Sequence, residues 1–542
     1  VRSRRQRQMC IRDRETTNMK TIKYTLFATL ALMLLGACGH FGDVNIDPNN
    51  PSTRDTRYLF SRAMQGVTFP VYTSAPAPSV NMYDPFSQLY THYFAEAKNV
   101  QYTQFGIKDF NMTFYYTTFL KNLKNIQEMN LDKELANSET VLGMGSNNIQ
   151  LGVAMTLEAF YYMHMTDIVG MLYLDEALLG DEGNFTPKFD TQEHIYEALD
   201  KKLNEAYALL SQGGSIDGYF DILYGGNIDN WKKLNASIRM MMAIKLSDVA
   251  PEVGKARFAK AYADGGITTN DANLCYQYTL ENDNMNPIYS NYYVSNRKDF
   301  YPSATLVDKF VELKDARVYT YAAPTATYEL FAVPFGTPRA EIGEYTGKVC
   351  ELHPFITAKN SKITIISATR MLLIEAEAAV RGWIAADAEA LYNKAIVLSY
   401  NNKRVNEAVD LLKAEKTPAG ISAFDKMQGE YQLLVDPNEY LAQDAIKLQG
   451  SQQEKINKIA LQRWLSGFNE NGIEAWSDWR RLNYPKLGVG EAGKLNASHI
   501  PYRRYYYLND YEVNRDNYDA AIKLQGPDNF DTRLWWDVAD ND

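Results

Sequence analysis

The chain has little of what a metalloenzyme, a disulfide-built module or a nucleic-acid binder requires. Its 542 residues include four cysteines and six histidines. Cys10, Cys38, Cys275 and Cys350 stand far apart, which excludes paired cysteine spacing for zinc and any dense disulfide framework. The histidines are scattered, and His164 sits in an apolar stretch that reads as core. HExxH, GxSxG and phosphate-loop patterns are absent, which removes the zincin, serine-hydrolase and P-loop classes. Basic side chains are also in deficit. There are 56 Lys and Arg against 66 Asp and Glu, and from Cys38 onward 48 against 64, a net of −16. Such a surface repels phosphate backbones and excludes nucleic acid as a partner. No apolar run reaches the roughly 20 residues of a permanent transmembrane helix. Strand signals are few and short.

What is present is globular. Hydrophobic residues make up 46% of the chain and aromatic residues 13%, with 38 Tyr against 23 Phe and 7 Trp. Tyrosine offers a flat apolar face with a polar tip, which suits half-wet contact surfaces. Cys275 and Cys350 are the one pair that an exported chain could join.

The amino-terminal region is organised around Leu34-Leu35-Gly36-Ala37-Cys38. A basic start (Met19, Lys20, Lys23), an apolar run from Tyr24 to Leu35 and a small-residue ending make a secretory signal. Leu35-Gly36-Ala37-Cys38 resembles the lipobox of bacterial lipoproteins, which implies cleavage before Cys38 and acylation of its thiol. Acyl chains contribute about 0.8 kcal/mol per buried methylene, so several would hold the chain at a membrane. Residues 1–18, with the arginine-rich VRSRRQRQMCIRDR, read as a leader of adapter type outside the fold. Residues 19–37 read as the signal and 38–52 as a flexible tether rich in Gly, Asp, Asn and Pro.

From 53 to 542 a single, mostly α domain is expected. Helical spacing predicts helices over Asp55–Gly66, Pro85–Asn99, Thr113–Met129, Ile149–Thr166, Asp190–Leu210, Asp229–Val249 and Pro251–Asp264. Ile149–Thr166 is apolar nearly all round and should be central. Asp190 with Glu193 suggests a capping box. About 265–360 reads as a long irregular insertion, and loops of that length are usually functional. Helical pattern returns at Ile363–Arg381, Asp387–Ser399, Val405–Glu415, Glu439–Leu448 and Gln452–Leu465. Small residues at the expected contacts (Ala376, Ala379, Ala390, Ala395) and Tyr392-Asn393-Lys394-Ala395-Ile396 resemble tetratricopeptide helix pairs without a strict repeat.

Three blocks carry a closer resemblance. They are Leu157 to Tyr162 with Asp167, Gly170 and Asp175-Glu176-Ala177; Glu375 to Ala379 with Arg381-Gly382-Trp383 and Tyr392; and Gln462-Arg463-Trp464 with Gly472 to Arg481 and Tyr484-Pro485. In this order, behind a lipobox, they resemble the SusD/RagB family of Bacteroidetes outer-membrane lipoproteins. The resemblance implies a helical scaffold at the outer cell surface and a SusC-like TonB-dependent barrel as partner. It also implies capture of an oligomeric nutrient, glycan or peptide, without catalysis and without a cofactor or metal. By residue chemistry alone, Trp464, Trp476 and Trp479 read as helix packing, and Arg480 and Arg481 as charge partners of Glu474 and Asp478.

Glycan capture needs aromatic faces together with amide, carboxylate and guanidinium groups. Two stretches offer both: Asn81 to Phe105, with Tyr83, Tyr90, Tyr93 and Tyr102, and Asn282 to Phe300, with Asn286, Tyr289, Tyr292, Tyr293 and Arg297. The second, without helical period, is the favoured ligand stretch. Asp47-Pro48-Asn49-Asn50 and Glu281-Asn282-Asp283-Asn284 are oxygen-rich but lack calcium-loop spacing and read as turns. Two other classes stay open: a surface glycan-degrading enzyme using two carboxylates, and a tetratricopeptide-like interaction scaffold.

Overall fold

The computed structural model describes residues 54–68, 85–98, 100, 102–470, 472–507 and 512–538. The signal, Cys38, the tether and Tyr83 lie outside the described residues. Thr56–Asp542 forms one compact unit. Its main helices are α1 (Thr56–Met64), α2 (Pro85–Tyr90), α3 (Lys121–Leu131), α4 (Asn147–Val169), α5 (Gln192–Leu210), α6 (Ile228–Lys245) and α7 (Pro251–Asp264). They continue with α8 (Ala304–Glu312), α9 (Ala368–Val380), α10 (Ala388–Asn402), α11 (Val405–Ala414), α12 (Gln452–Ser466), α13 (Gly472–Leu482) and α14 (Arg515–Gln525).

The apolar circumference of α4 explains its place. Ile149, Ala154, Tyr162, Met163 and Met165 are all buried, on every side of the helix, and α3 and α5 pack against it. The pairs α4/α5, α6/α7 and α9/α10 follow one another as helix hairpins, with α12 laid against α9. Ala376 and Ala395 are buried, whereas Ala390 faces solvent and plays no part in helix contact.

Several boundaries differ from expectation, each for a local reason. Helix α5 starts at Gln192 with Thr191 as its cap, accepting from the His194 N–H. Asp190 instead takes the N–H groups of Leu174 and Asp175. Helix α2 stops at Tyr90: His92 has φ 55°, and the chain then forms strand β1 (Phe94–Glu96). Ile363, expected in a helix, lies in strand β7 (Lys362–Ile366), where alternating β-branched residues bury one face. The expected helix near Glu439–Leu448 is a short one, Pro437–Leu441.

Among the described residues the strands make four small ribbons. β1 pairs antiparallel with β4 (Phe300–Pro302), and β2 (Asp109–Phe110) pairs parallel with β8 (Tyr505–Tyr506). β3 (Leu274–Gln277) pairs antiparallel with β7, and β5 (Ala322–Ala323) with β6 (Glu351–Leu352). The 265–360 stretch is therefore built from short ribbons, turns and one-turn helices, plus the nine-residue helix α8.

The third sequence block is interior. Trp464, Trp476 and Trp479 are buried. Arg480 lies 3.8 Å from the centroid of the Trp476 ring and donates to the carbonyls of Asp167 and Tyr502 at 2.6 and 2.9 Å. Arg481 reaches Glu377 and also lies 3.6 Å from Asp478, a partner expected for it, and Arg370 pairs with both Glu474 and Asp478. His164 is fully buried, 3.4 Å from Glu474. No described helix is long and apolar enough to cross a membrane.

Candidate functional site

Strand β3 presents alternate side chains to opposite faces, as any strand must. Tyr276, and Tyr278 just beyond the strand, fall on one face with ring centroids 5.1 Å apart, edge to face. The Tyr276 hydroxyl donates to Asn284 at 2.9 Å. Together with Arg62, Phe119 and Asn282 these rings line a cavity of about 180 Å³. Burial pushes both phenols above their ordinary range, so at neutral pH they are hydroxyl donors and not phenolates.

Beside this cavity runs the favoured stretch, and the structure sorts its residues into two groups. Asn286 is buried and caps the one-turn helix Pro287–Tyr289, accepting from the N–H groups of Ile288 and Tyr289. Its amide donates to Ser361 at 2.5 Å, which commits the side chain to the scaffold. Tyr292 is buried and donates to the carbonyl of Phe300. Tyr289 and Tyr293 form a second ring pair with centroids 5.1 Å apart, and Tyr293 is 55% exposed. Arg297 is exposed at its tip and pairs with Asp299 at 2.8 Å. Asp299 is buried and also receives the Asn291 amide at 2.8 Å, which fixes the turn that carries Arg297.

The first stretch is mostly interior. Tyr90 is buried edge-on to Trp476 at 5.1 Å, and Tyr93 donates to the carbonyl of Trp464 at 2.7 Å. Both rings belong to the core: α2, which carries Tyr90, folds against α13, and Tyr93 follows just beyond it. Tyr102, half-buried, packs on Phe86 and Phe300. Glu96 of β1 is buried beneath this turn. One of its oxygens accepts from the N–H groups of Tyr102 and Thr103 and from the Thr103 hydroxyl. Its other oxygen has no hydrogen-bond partner among the described residues. Burial pushes this carboxyl up to about 8, and the nearby Asp299 adds to the rise.

Sequence reasoning missed Tyr276, Tyr278 and Arg62. The signal for the tyrosines was present, as the alternation in Leu-Cys-Tyr-Gln-Tyr. Arg62 arrives from α1, more than two hundred residues away, and no local pattern could place it.

Among the described residues one group could hold a metal ion: Asp175, Asp190 and His194. Its donors are already used, since Asp190 receives two backbone N–H groups and His194 lies 2.9 Å from Asp175. The cluster reads as a braced turn. Cys275 and Cys350 are both free: one thiol faces Thr364 at 3.7 Å and the other the Glu329 carbonyl at 3.4 Å.

Residues 48–507 match the SusD-like family model described as starch-binding and associating with the outer membrane. No curated protein matches the sequence. Solved structures of similar fold include a chitin-binding SusD homologue from Flavobacterium johnsoniae (21% identity, TM-score 0.69, covering 90% of this chain and 100% of that one). A SusD homologue from Bacteroides fragilis is similar at 24% identity and TM-score 0.70, covering 88% and 99% of the two chains. One from Bacteroides uniformis stands at 22% and 0.68, with 89% and 100% covered.

Proposed function

This chain belongs to the SusD-like family of outer-membrane-associated proteins, and on that premise we propose that it captures an oligomeric nutrient, a glycan, and delivers it unchanged to a SusC-like TonB-dependent barrel. The observation that carries the reading is the Tyr289–Tyr293 ring pair, with Tyr293 exposed, on the same stretch as Asn282 and Asn284, which edge the cavity. Flat rings stack on sugar faces, and carboxamides both donate to and accept from hydroxyls. Tyr293 and Tyr289 supply the platform, while Arg297 and the cavity amides supply polar contacts. Asn286 and Tyr292 act behind this surface by holding its backbone, and Tyr90 packs in the core against Trp476 and Phe105. Tyr83 belongs to the same proposal by sequence alone.

Binding without chemistry is the simpler reading of this wall. Glycoside hydrolysis uses a pair of carboxyl groups about 5–9.5 Å apart, and the described cavity lining has Asp283 as its single carboxylate. An acylated Cys38 would anchor the chain on the outer face of the membrane, with 38–52 as its tether.

The test is recovery of tagged full-length protein from native outer membranes in mild detergent, followed by glycan and peptide titration. Co-purification of a stoichiometric large barrel, with saturable glycan binding and no product formed, is expected. Purification without any barrel overturns the delivery role. Turnover of a bound glycan overturns the non-catalytic reading, and binding of peptides alone overturns the glycan assignment.

A further inference from the structure

The β3–β7 ribbon has a second hollow on its other face. Tyr276 and Tyr278 point into the cavity described above, so Gln277 must point away from it, and its partner across the ribbon is Lys362. Cys275 likewise pairs with Thr364. Gln277, Lys362 and Thr364 floor a cleft of about 840 Å³, within the 300–1,000 Å³ of small-molecule sites. One wall is the one-turn helix Pro354–Thr357 with Phe355. The other is the junction of α10 and α11, with Asn401, Lys403 and Arg404, and the turn after α12, with Asn469 and Glu470.

The charges in this cleft are largely spent. Lys403 lies 2.6 Å from Glu470. Arg404 lies flat against Phe355, 3.8 Å from its ring centroid, and its Nε bonds to Glu407 at 2.7 Å. Lys362 is the one cation of the lining outside an ion pair among the described residues, and the lining also holds the carboxylate of Asp271. The carboxamides are the opposite case: Asn360, Asn401 and Asn469 line the cleft without a side-chain hydrogen bond to any described residue. Two residues at the mouth, Arg404 (φ 61°) and Asn469 (φ 52°), hold left-handed backbone. Side chains with a Cβ adopt that region at a cost, so glycine would be the easier choice if only the turn mattered.

Amides that are free to donate and accept, beside cations already neutralised, suit hydroxyl groups and not phosphate or carboxylate. We propose that this cleft is a second saccharide-binding subsite, for a neutral oligosaccharide, set back to back with the first across the β3–β7 ribbon. The assignment rests on the glycan reading above.

The test is calorimetric titration of the full-length protein in detergent with neutral malto-, cello- and chito-oligosaccharides and with an oligogalacturonate. The wild type is compared with the double variant Asn360→Ala/Asn401→Ala and with Tyr293→Ala. These side chains are exposed, and unchanged thermal unfolding confirms that each variant folds. A neutral ligand should bind with two sites per chain. The asparagine double variant should lose one class by tenfold or more and keep the other, and Tyr293→Ala should do the reverse. One site per chain, lost in Tyr293→Ala and indifferent to the asparagines, overturns the second subsite and leaves the glycan reading standing. Binding of no saccharide by the wild type overturns that reading itself, and preference of the cleft for oligogalacturonate overturns its neutral assignment.

Discussion

Glu377 and Arg481 meet in a buried two-point pair, Oε1 to Nη1 at 2.6 Å and Oε2 to Nη2 at 2.8 Å, joining α9 to α13. The same carboxylate also takes Arg463 of α12 at 2.7 Å and Arg381 at 2.8 Å. Burial works to raise its pKa, and the guanidiniums of Arg481, Arg463 and Arg381 overcome that, holding it well below the ordinary carboxylate range.

Replacing Glu377 by Ala should therefore be severe, because it strands several guanidiniums at once. Breaking a buried pair from one side costs about 3–5 kcal/mol, readable as a shifted denaturant midpoint. A loss under about 1 kcal/mol would mean that water reaches this network. Since the folded carboxyl has the lower pKa, its contribution is full above the unfolded value and fades as pH falls toward the folded one. Glu377→Gln should therefore show a shallower acid limb than the wild type.

Tyr292 and Tyr293 are sequence neighbours with opposite expected phenotypes. Tyr293→Ala should lower glycan affinity at least tenfold while shifting stability by no more than about 0.5 kcal/mol, as exposed positions do. Tyr292→Ala, which empties a buried ring site, should cost about 3–5 kcal/mol. Titration and thermal unfolding of both variants separate the two roles. Equal loss of binding in both, at equal stability, would contradict this division.

Glu96 couples pH to the turn under the ligand stretch. Its folded carboxyl keeps a proton until about pH 8, whereas the unfolded chain releases it near 4.5. The folded state thus binds more protons across that window, and this group's contribution to stability falls as pH rises through it, on the order of 5 kcal/mol in all. Glu96→Gln should flatten the decline. Denaturation at pH 5, 7 and 9 checks it, and a variant with the wild-type slope would remove Glu96 as the cause.

The two core thiols should be inert. Burial pushes Cys350 up to about 12 and raises Cys275 as well, so neither is a ready nucleophile at neutral pH. Reductant should leave the melting temperature unchanged. A drop of several degrees would reveal a bond between them.

Elements that announce themselves locally were legible in the sequence. The apolar circumference of α4, the start of α7 at Pro251 and the start of α12 at Gln452 each follow from a few adjacent residues. The small ribbons were not legible, because a strand of two to five residues is defined by a distant partner: Phe94–Glu96 looks helical until Phe300–Pro302 is beside it. The site was half legible for the same reason. Composition pointed to 282–300, but only packing separates Tyr293, outside, from Tyr292 and Asn286, inside. The arginines of α13 were visible as charges, and Arg481 does meet Asp478, but the carboxylate that both of its terminal nitrogens reach, Glu377, lies on α9.

Asp167 ends the central helix by receiving Tyr196 at 2.6 Å, Lys245 at 2.7 Å and Trp536 at 2.8 Å. Arg504 bonds to the carbonyl of Asp109, and Gln525 to the N–H of Met171. Segments between residues 109 and 171 are thus completed by residues 504–536, with contacts spanning nearly four hundred positions. Such a chain has high contact order, and long loops must close before their contacts reward them. A nascent chain without its final seventy residues leaves a charged hub unmet in its own interior. Folding of this unit must therefore wait until Trp536 has been made.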